Sequence, residues 1–445
     1  MVMWNVFYNG LLLLAAPVIL AILLAKPRCR RGLPQRFGFS TPPVRPDGRP
    51  LIWMHAVSLG EVVAIAPLVR ELHRRHPDHR FAVSTATETG RDAVEQRLAG
   101  IAEHLYAPLD FPWAVARTVD RLRPALYVFI ETELWPNLLR RLARRGVPTI
   151  MVNGRLSTAS YARQRRPPVR WLYESILPSL RLCLMQSDRD VERIIALGAD
   201  PRSVFRTGNI KFDQPLPVSD RKLTRADLGL AAEAPLLVAG STHAVEEEML
   251  VEAYLAVVAR HPSVQLLLAP RHIERADAVE AMVRDRGLTV RRRTATHTPD
   301  ALRPHVVILD SRGELAAVYE QATVAFVGGT LVPIGGHNLL EPAFWAKPVL
   351  FGPYTDHCVE IANLLVQTGG GCRVATAEEL AAALARLFDQ HDERVRMGQA
   401  AQEMVRENQG ALQATIEAID RQLASVRTSR FPSRSPDSFP LMAGR

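Results

Sequence analysis

The chain has 445 residues, of which 47% are hydrophobic and 23% charged, so it calls for two domains with ample core and excludes a disordered or single-module protein. The net charge is +9 at pH 7, yet no nucleic-acid-binding motif accompanies it. Four cysteines (Cys29, Cys183, Cys358 and Cys372) show neither metal-ligand nor C-x-x-C spacing, which points to a reduced, cytosolic setting rather than a disulfide scaffold or a zinc protein.

Residues 11–25 are nearly unbroken Leu, Ala, Ile and Val, preceded by Trp4, Phe7 and Tyr8 and followed by Lys26, Arg28, Arg30, Arg31 and Arg36. Counted from Val2, the stretch reaches the roughly 20 apolar residues needed to span a bilayer. Its basic end belongs in the cytoplasm by the positive-inside rule. A cleaved signal peptide would carry its charge before the apolar run and small residues at the exit, and neither is present. Residues 1–27 therefore read as an uncleaved inner-membrane anchor, with everything after them cytoplasmic. Basic clusters at 140–145 and 163–170 fit attraction to an anionic membrane surface or a phosphorylated lipid, or else a solvated face.

Strand-length apolar runs then alternate with helical stretches. They fall at 51–55, 81–85, 126–130, 149–152, 182–186 and 204–207, and again at 236–239, 265–269, 306–309, 324–327, 349–351 and 372–374. This rhythm predicts an α/β protein with parallel sheets and right-handed crossovers. The expected architecture is two Rossmann-like domains facing a cleft, 28–213 and 225–424, joined by a polar linker at 214–224. Residues 425–445, rich in Ser, Pro and Arg without periodicity, read as a disordered tail.

Ligands on such sheets bind where strands end and helices begin. After the first strand comes Ala56-Val-Ser-Leu-Gly-Glu61, where Gly60 permits a close turn and Glu61 opens a helix. A helix N-terminus lowers a carboxyl pKa, so Glu61 is expected to be ionised and able to take a proton. Glu131-Thr-Glu-Leu-Trp-Pro-Asn137, Asn153-Gly-Arg155 and Asn209-Ile-Lys-Phe-Asp213 place acids, an amide, a fixed cation and an amine at the same rim. In the second half, Gly240-Ser-Thr-His243 is trailed by Glu246, Glu247 and Glu248, and Pro270-Arg271-His272 offers a planar cation for a phosphate or carboxylate. Arg312-Gly313-Glu314 could frame a base or a ribose.

The segment from Phe326 to Pro353 carries the strongest signal. Paired glycines close an apolar strand, and a second pair, Gly335 and Gly336, leads to a short helix expected near Asn338, with Pro342 in its first turn. The free N–H groups of that helix are expected to bind a phosphate, and Glu341 the hydroxyls of a ribose.

Seven of these segments, in register and in order, resemble the Kdo transferases of Gram-negative bacteria, which move 3-deoxy-D-manno-octulosonic acid from CMP-Kdo onto a lipid A precursor. They are Ala56–Glu61, Glu131–Asn137, Asn153–Arg155, Thr207–Asp213, Ala239–His243, Ala269–His272 and Gly335–Pro342. The resemblance implies a GT-B glycosyltransferase fold, an inverting reaction and no metal or other cofactor. Glu61 resembles the family's general base, and Glu131 and Lys211 its transition-state-stabilising acid and amine. Pro270, Arg271, Arg312, Gly313, Glu314, Asn338, Leu339, Leu340 and Glu341 match its CMP-binding segments. The partners implied are CMP-Kdo, a lipid A precursor (lipid IVA) and the inner membrane surface. A membrane-associated UDP-sugar transferase and a sugar-nucleotide epimerase share the architecture and stay open as alternatives.

Overall fold

The computed structural model describes residues 2–25, 31–40, 47–214, 223–295 and 305–429. The chain opens with the helix α1 (Val2–Ala25), in which Val6–Ala25 is long and apolar enough to cross a membrane by length and composition. The chain divides into two compact units, one formed by residues 1–214 with 409–445 and the other by 215–408. Most of the expected linker (215–222) and of the tail (430–445) lies outside the described residues.

Each unit is built on a seven-stranded parallel sheet. The first holds β1 (Leu51–His55), β2 (Arg80–Thr85), β3 (Ala102–Tyr106), β4 (Leu126–Ile130), β5 (Thr149–Gly154), β6 (Leu182–Met185) and β7 (Val204–Arg206), in the order β3-β2-β1-β4-β5-β6-β7. The second holds β8 (Leu236–Thr242), β9 (Gln265–Pro270), β10 (Val290–Arg292), β11 (Val306–Ile308), β12 (Val324–Val327), β13 (Val349–Phe351) and β14 (Gly371–Arg373), in the order β10-β11-β9-β8-β12-β13-β14. The central strands are apolar throughout because helices cover both faces, as parallel crossovers require; β1, β4 and β12 are buried at every position. In each sheet two neighbouring central strands lead to connections on opposite sides, β1 with β4 and β8 with β12. Such a switch point is where open α/β sheets bind ligands.

Two strands escape the apolar-run criterion. Both are edges, β3 reading AEHLY and β10 reading VRR, and an edge strand keeps polar side chains because one flank is not covered by a neighbour. The second domain also ends earlier than the expected residue 424. The helix from Ala411 to Ser429 returns to the first unit, where Ala411, Ile416, Ile419 and Leu423 join the core formed by Ile65, Val69 and Leu72. Residues 425–429, expected in the tail, are the last turn and more of this helix.

Candidate active site

In the first unit the switch point is lined by the ends of β1 and β4. Helix α2 (Leu59–Arg75) starts after β1 with Ser58 as its N-cap and Glu61 in its first turn. The Glu61 carboxylate turns back on the helix start, accepting from the Val57 N–H at 2.7 Å and from the Ser58 hydroxyl at 3.2 Å. This is a variant of the capping box, in which an acid in the first turn satisfies a backbone donor upstream. The helix start does not make Glu61 an ordinary ionised acid, as the sequence led us to expect. Burial pushes its pKa up to about 7, and the negative charges of Glu131 and Glu133 push the same way, against the Val57 hydrogen bond. Desolvation and like charge outweigh the helix dipole here. A carboxylate near pH 7 is better matched to general-base work than one titrating near 4.

Glu131 follows β4 in a left-handed conformation, φ 58°, and Asn153, at the end of β5, takes φ 54°. Non-glycine residues held there cost about 1–3 kcal/mol each and cluster at functional sites. The twist at Glu131 brings its Oε1 to 3.6 Å from Lys211 Nζ. Glu133 lies beyond, its carboxyl raised by burial and by Glu131.

Lys211 is positioned by a network that the sequence only hinted at. Asn153 is fully buried; its Oδ1 accepts from the Ile210 N–H at 3.0 Å and its backbone carbonyl from Gln186 Nε2 at 3.0 Å. Gln186 Oε1 in turn accepts from Asn209 Nδ2 at 3.2 Å, and Asn209 Oδ1 accepts from the Lys211 N–H at 3.0 Å. On the other side Asp213 accepts from the N–H groups of Gly410 and Leu412 at 2.6 and 2.8 Å. That contact ties the amine-bearing turn to the returning C-terminal helix. Asn153 and Asn209 stood out in the sequence as strand-end polar residues. Gln186 was visible only as the polar end of an apolar run.

The second unit has its own cluster at the β8/β12 switch point. Helix α3 (Glu246–Val258) starts after β8, and Glu246, fully buried, sends its carboxylate across to the glycine turn after β12. Its Oε2 accepts from Gly329 and His243, at 2.8 and 3.1 Å, and its Oε1 from Thr330 and Leu331, at 3.1 and 2.9 Å. These turn N–H groups are thus occupied within the protein. The turn packs too closely for any larger residue, since a Cβ on Gly328 would lie 2.5 Å from the Ser241 carbonyl oxygen.

Pro270 ends β9, buried, and the exposed Arg271 follows it; its backbone N–H donates to the Thr242 carbonyl at 2.9 Å, while its guanidinium makes no hydrogen bond or ion pair among the described residues. Arg312 is exposed and paired with Glu274 at 2.9 Å; Gly313 takes φ 84°; Glu314 is held by Ser311 and by Arg293 at 3.4 Å. The expected helix at Asn338 begins instead at Leu340 and runs only to Phe344. Asn338, one residue before the N-cap Leu339, braces its start, its Oδ1 accepting from the Leu340 N–H and its Nδ2 donating to Glu341 Oε1, both at 3.2 Å. One turn of helix with its first N–H so occupied is a weaker anion site than the sequence suggested. Leu339 and Leu340 are buried beneath it, and burial raises Glu341 to about 7. Three histidines stand nearby, the rings of His243 and His337 stacked with centroids 5.2 Å apart and His272 edge-on to His243.

Among the described residues the one group with metal-ligand spacing is His76, Asp78 and His79, after α2. It belongs to neither cluster: His76 pairs with Asp420 at 2.6 Å and His79 with Asp78 at 3.0 Å.

The chain is similar to known proteins along most of its length. Residues 31–214 match the family described as 3-deoxy-D-manno-octulosonic-acid transferase (kdotransferase). The chain is 35% identical to the 3-deoxy-D-manno-octulosonic acid transferase of Haemophilus influenzae, over 94% of its own length and 98% of that protein's. It is 34% identical to the transferase of the same description from Bordetella pertussis, over 83% and 86% of the two chains. Among solved structures, the UDP-GlcNAc 2-epimerase of Neisseria meningitidis bound to UDP-GlcNAc superposes with a TM-score of 0.59 over 83% of this chain and all of the other. At 10% identity that likeness speaks to the fold alone.

Proposed function

Because the chain belongs to the 3-deoxy-D-manno-octulosonic acid transferase family, a family of glycosyltransferases, we propose that it transfers Kdo from CMP-Kdo to a lipid A precursor, lipid IVA, with inversion at the anomeric carbon. The observation that carries the mechanism is Glu61, a buried carboxylate with its pKa raised to about 7 at the switch point of the first sheet. Glu61 takes the proton from the acceptor hydroxyl as that oxygen attacks the anomeric carbon on the face opposite the departing phosphate. In a single displacement one carboxylate suffices for the proton transfer.

Lys211, held by Asn209 and paired with Glu131, offers its ammonium to the negative charge carried by the sugar carboxylate and the leaving group. An ammonium fixed in place before the reaction needs no reorganisation as charge develops. On the donor side, Arg271 has an unengaged guanidinium fork for the CMP phosphate. Pro270, the 312–314 turn and the 338–341 turn supply the surroundings of the cytidine, with Glu341 for the ribose. The leaving group is thereby served by protein cations, and the reading includes independence of metal ions. Turnover unchanged by a chelator is the expected result. Helix α1 attaches the enzyme to the inner membrane, where the lipid acceptor resides, with the catalytic units in the cytoplasm.

Purified enzyme incubated with CMP-Kdo and tetra-acylated lipid A precursor should release CMP and give a product heavier by whole Kdo residues in mass spectrometry. Transfer from a UDP-sugar, with none from CMP-Kdo, would refute the reading. On the donor side, Arg271→Ala and Glu341→Ala should each weaken CMP binding at least tenfold in calorimetry, while lipid acceptor affinity changes little. A charge-assisted phosphate contact is worth about 1.5–3 kcal/mol. Unchanged CMP affinity in both variants would remove these residues from the donor site.

A further inference from the structure

The second unit holds a pair of histidines to which the mechanism above gives no role. His243 follows β8 and His337 follows the Gly335-Gly336 pair. Their rings are nearly parallel, 3° apart, with Nε2 of one 2.8 Å from Nε2 of the other. So short a contact between imidazole nitrogens holds a single proton. One ring donates and the other accepts, because two N–H groups could not face each other there. The glycine turn leaves room for this arrangement, since a Cβ on Gly329 would lie 2.9 Å from His337 Cδ2 and 3.0 Å from its Nε2. Glu246 holds the other partner, accepting from the His243 N–H at 3.1 Å. The outer nitrogen of each ring, Nδ1, makes no hydrogen bond among the described residues.

The neighbours decide what the pair can bind. Arg271 and His272, after β9, act on both rings, His357 acts on His337, and Arg275 acts on His243. The two acids at hand are already engaged. Glu247 pairs with Arg275 at 2.7 Å and accepts from the Thr242 hydroxyl at 3.3 Å, and Glu246 accepts its four backbone N–H groups. Burial, and then the surrounding positive charge, hold both rings below the ordinary histidine range, His337 at about 4. The pair is therefore neutral at pH 7, with one Nδ1–H and one bare Nδ1. Uptake of one proton would give it a positive charge and two outer N–H donors without breaking the bond between the rings. An anion with several acceptor oxygens suits that state.

We propose that His243 and His337 together bind the phosphate of the cytidine nucleotide beside Arg271, and that the pair takes up one proton as that phosphate becomes a dianion. This rests on the donor-side reading given above. In the sugar nucleotide the phosphate is a diester with one negative charge. When the bond from the anomeric carbon to the phosphate oxygen breaks, its electron pair stays on that oxygen and a second charge appears. The pair answers with a proton taken from solvent and returns it when CMP leaves, while the acceptor proton goes separately to Glu61. A positive charge that arrives with the leaving-group charge favours departure over the bound donor.

The test is calorimetry of CMP binding to the full chain at about pH 7.5, in buffers of different ionisation enthalpy. Free CMP is then mostly dianion, because the second pKa of a phosphate monoester is about 6. The wild type should take up a large fraction of one proton per CMP. Its CMP affinity should rise about threefold to tenfold from about pH 8 to about pH 7. The sign follows from a pair that is neutral alone and charged beside the dianion: the gain is present below the pKa of the pair in the complex and fades as pH rises through it. His243→Gln and His337→Gln should each abolish the uptake and bind CMP equally well at both pH values. CMP binding without uptake in the wild type, a measurement that stands by itself should a variant fold poorly, would overturn the proposal and leave the donor reading intact. Uptake retained in either folded variant would do the same. A wild-type protein that binds no CMP at any pH would sink the donor reading and the pair with it.

Discussion

Glu61→Gln will retain no more than about one hundredth of the wild-type transfer rate while still folding and still binding CMP. Removing a positioned general base costs typically about 10²–10⁴-fold. The glutamine keeps the size and can still accept from the Val57 N–H that holds the side chain at 2.7 Å, so the loss reads out the proton acceptor rather than the helix start. The wild-type pH profile offers a second reading. The Glu61 pKa is raised to about 7 by burial and by Glu131 and Glu133, and only the ionised form accepts a proton. The kcat/KM should therefore be flat above about pH 8 and fall about tenfold per unit below about pH 6. Glu131→Gln removes one of the like charges that raise the pKa, so the acid limb should move to lower pH in that variant, whatever happens to its maximal rate. A rate for Glu61→Gln above one tenth of wild type, or an acid limb that vanishes in Glu131→Gln, would assign the base to another residue.

Much of this site is legible in the sequence because strand ends are. The unbroken apolar runs of β1, β4, β8 and β12 locate the sheet interior, and the polar residues just past them, Glu61, Glu131, His243 and the Gly328-Gly329 turn, fall at the two switch points. What escapes depends on which surfaces meet. Periodicity marks Ala411–Ser429 as a helix but is indifferent to the sheet it covers, and its return to the first unit is decided by packing against Ile65 and Val69. The state of Glu61 shows the same limit, since position on a helix predicts a lowered pKa and only the fold reveals the burial and the two nearby acids that reverse it. The edge strands β3 and β10 were missed because half-covered strands lose the apolar signature on which the reading relies. Glu246 is the sharpest case. In the sequence it is one of three consecutive acids, and nothing local distinguishes it from Glu248, which is exposed.

Glu246→Ala should destabilise the second unit by at least about 3–5 kcal/mol. The carboxylate is fully buried and accepts four backbone N–H groups, three of them from the turn that follows β12. Each buried donor left without a partner costs about 1–3 kcal/mol, and partial hydration of the new cavity sets the lower bound. That loss is a large share of the 5–15 kcal/mol that holds a typical domain together. Glu246→Gln separates the hydrogen-bonding role from simple space filling. It preserves the volume but replaces one acceptor oxygen with an NH₂ group that faces backbone N–H groups, so it should be nearly as damaging as the alanine. The readout is hydrogen exchange, because the two units need not unfold together. Protection at Gly329, Thr330 and Leu331 should collapse in both variants, while that of β1 and β4 in the first unit stays at its wild-type level. CMP affinity should fall in parallel, since the same turn leads directly into Gly335 and the 338–341 segment. If Glu246→Gln keeps wild-type protection at those three amides, the carboxylate is not what holds the turn.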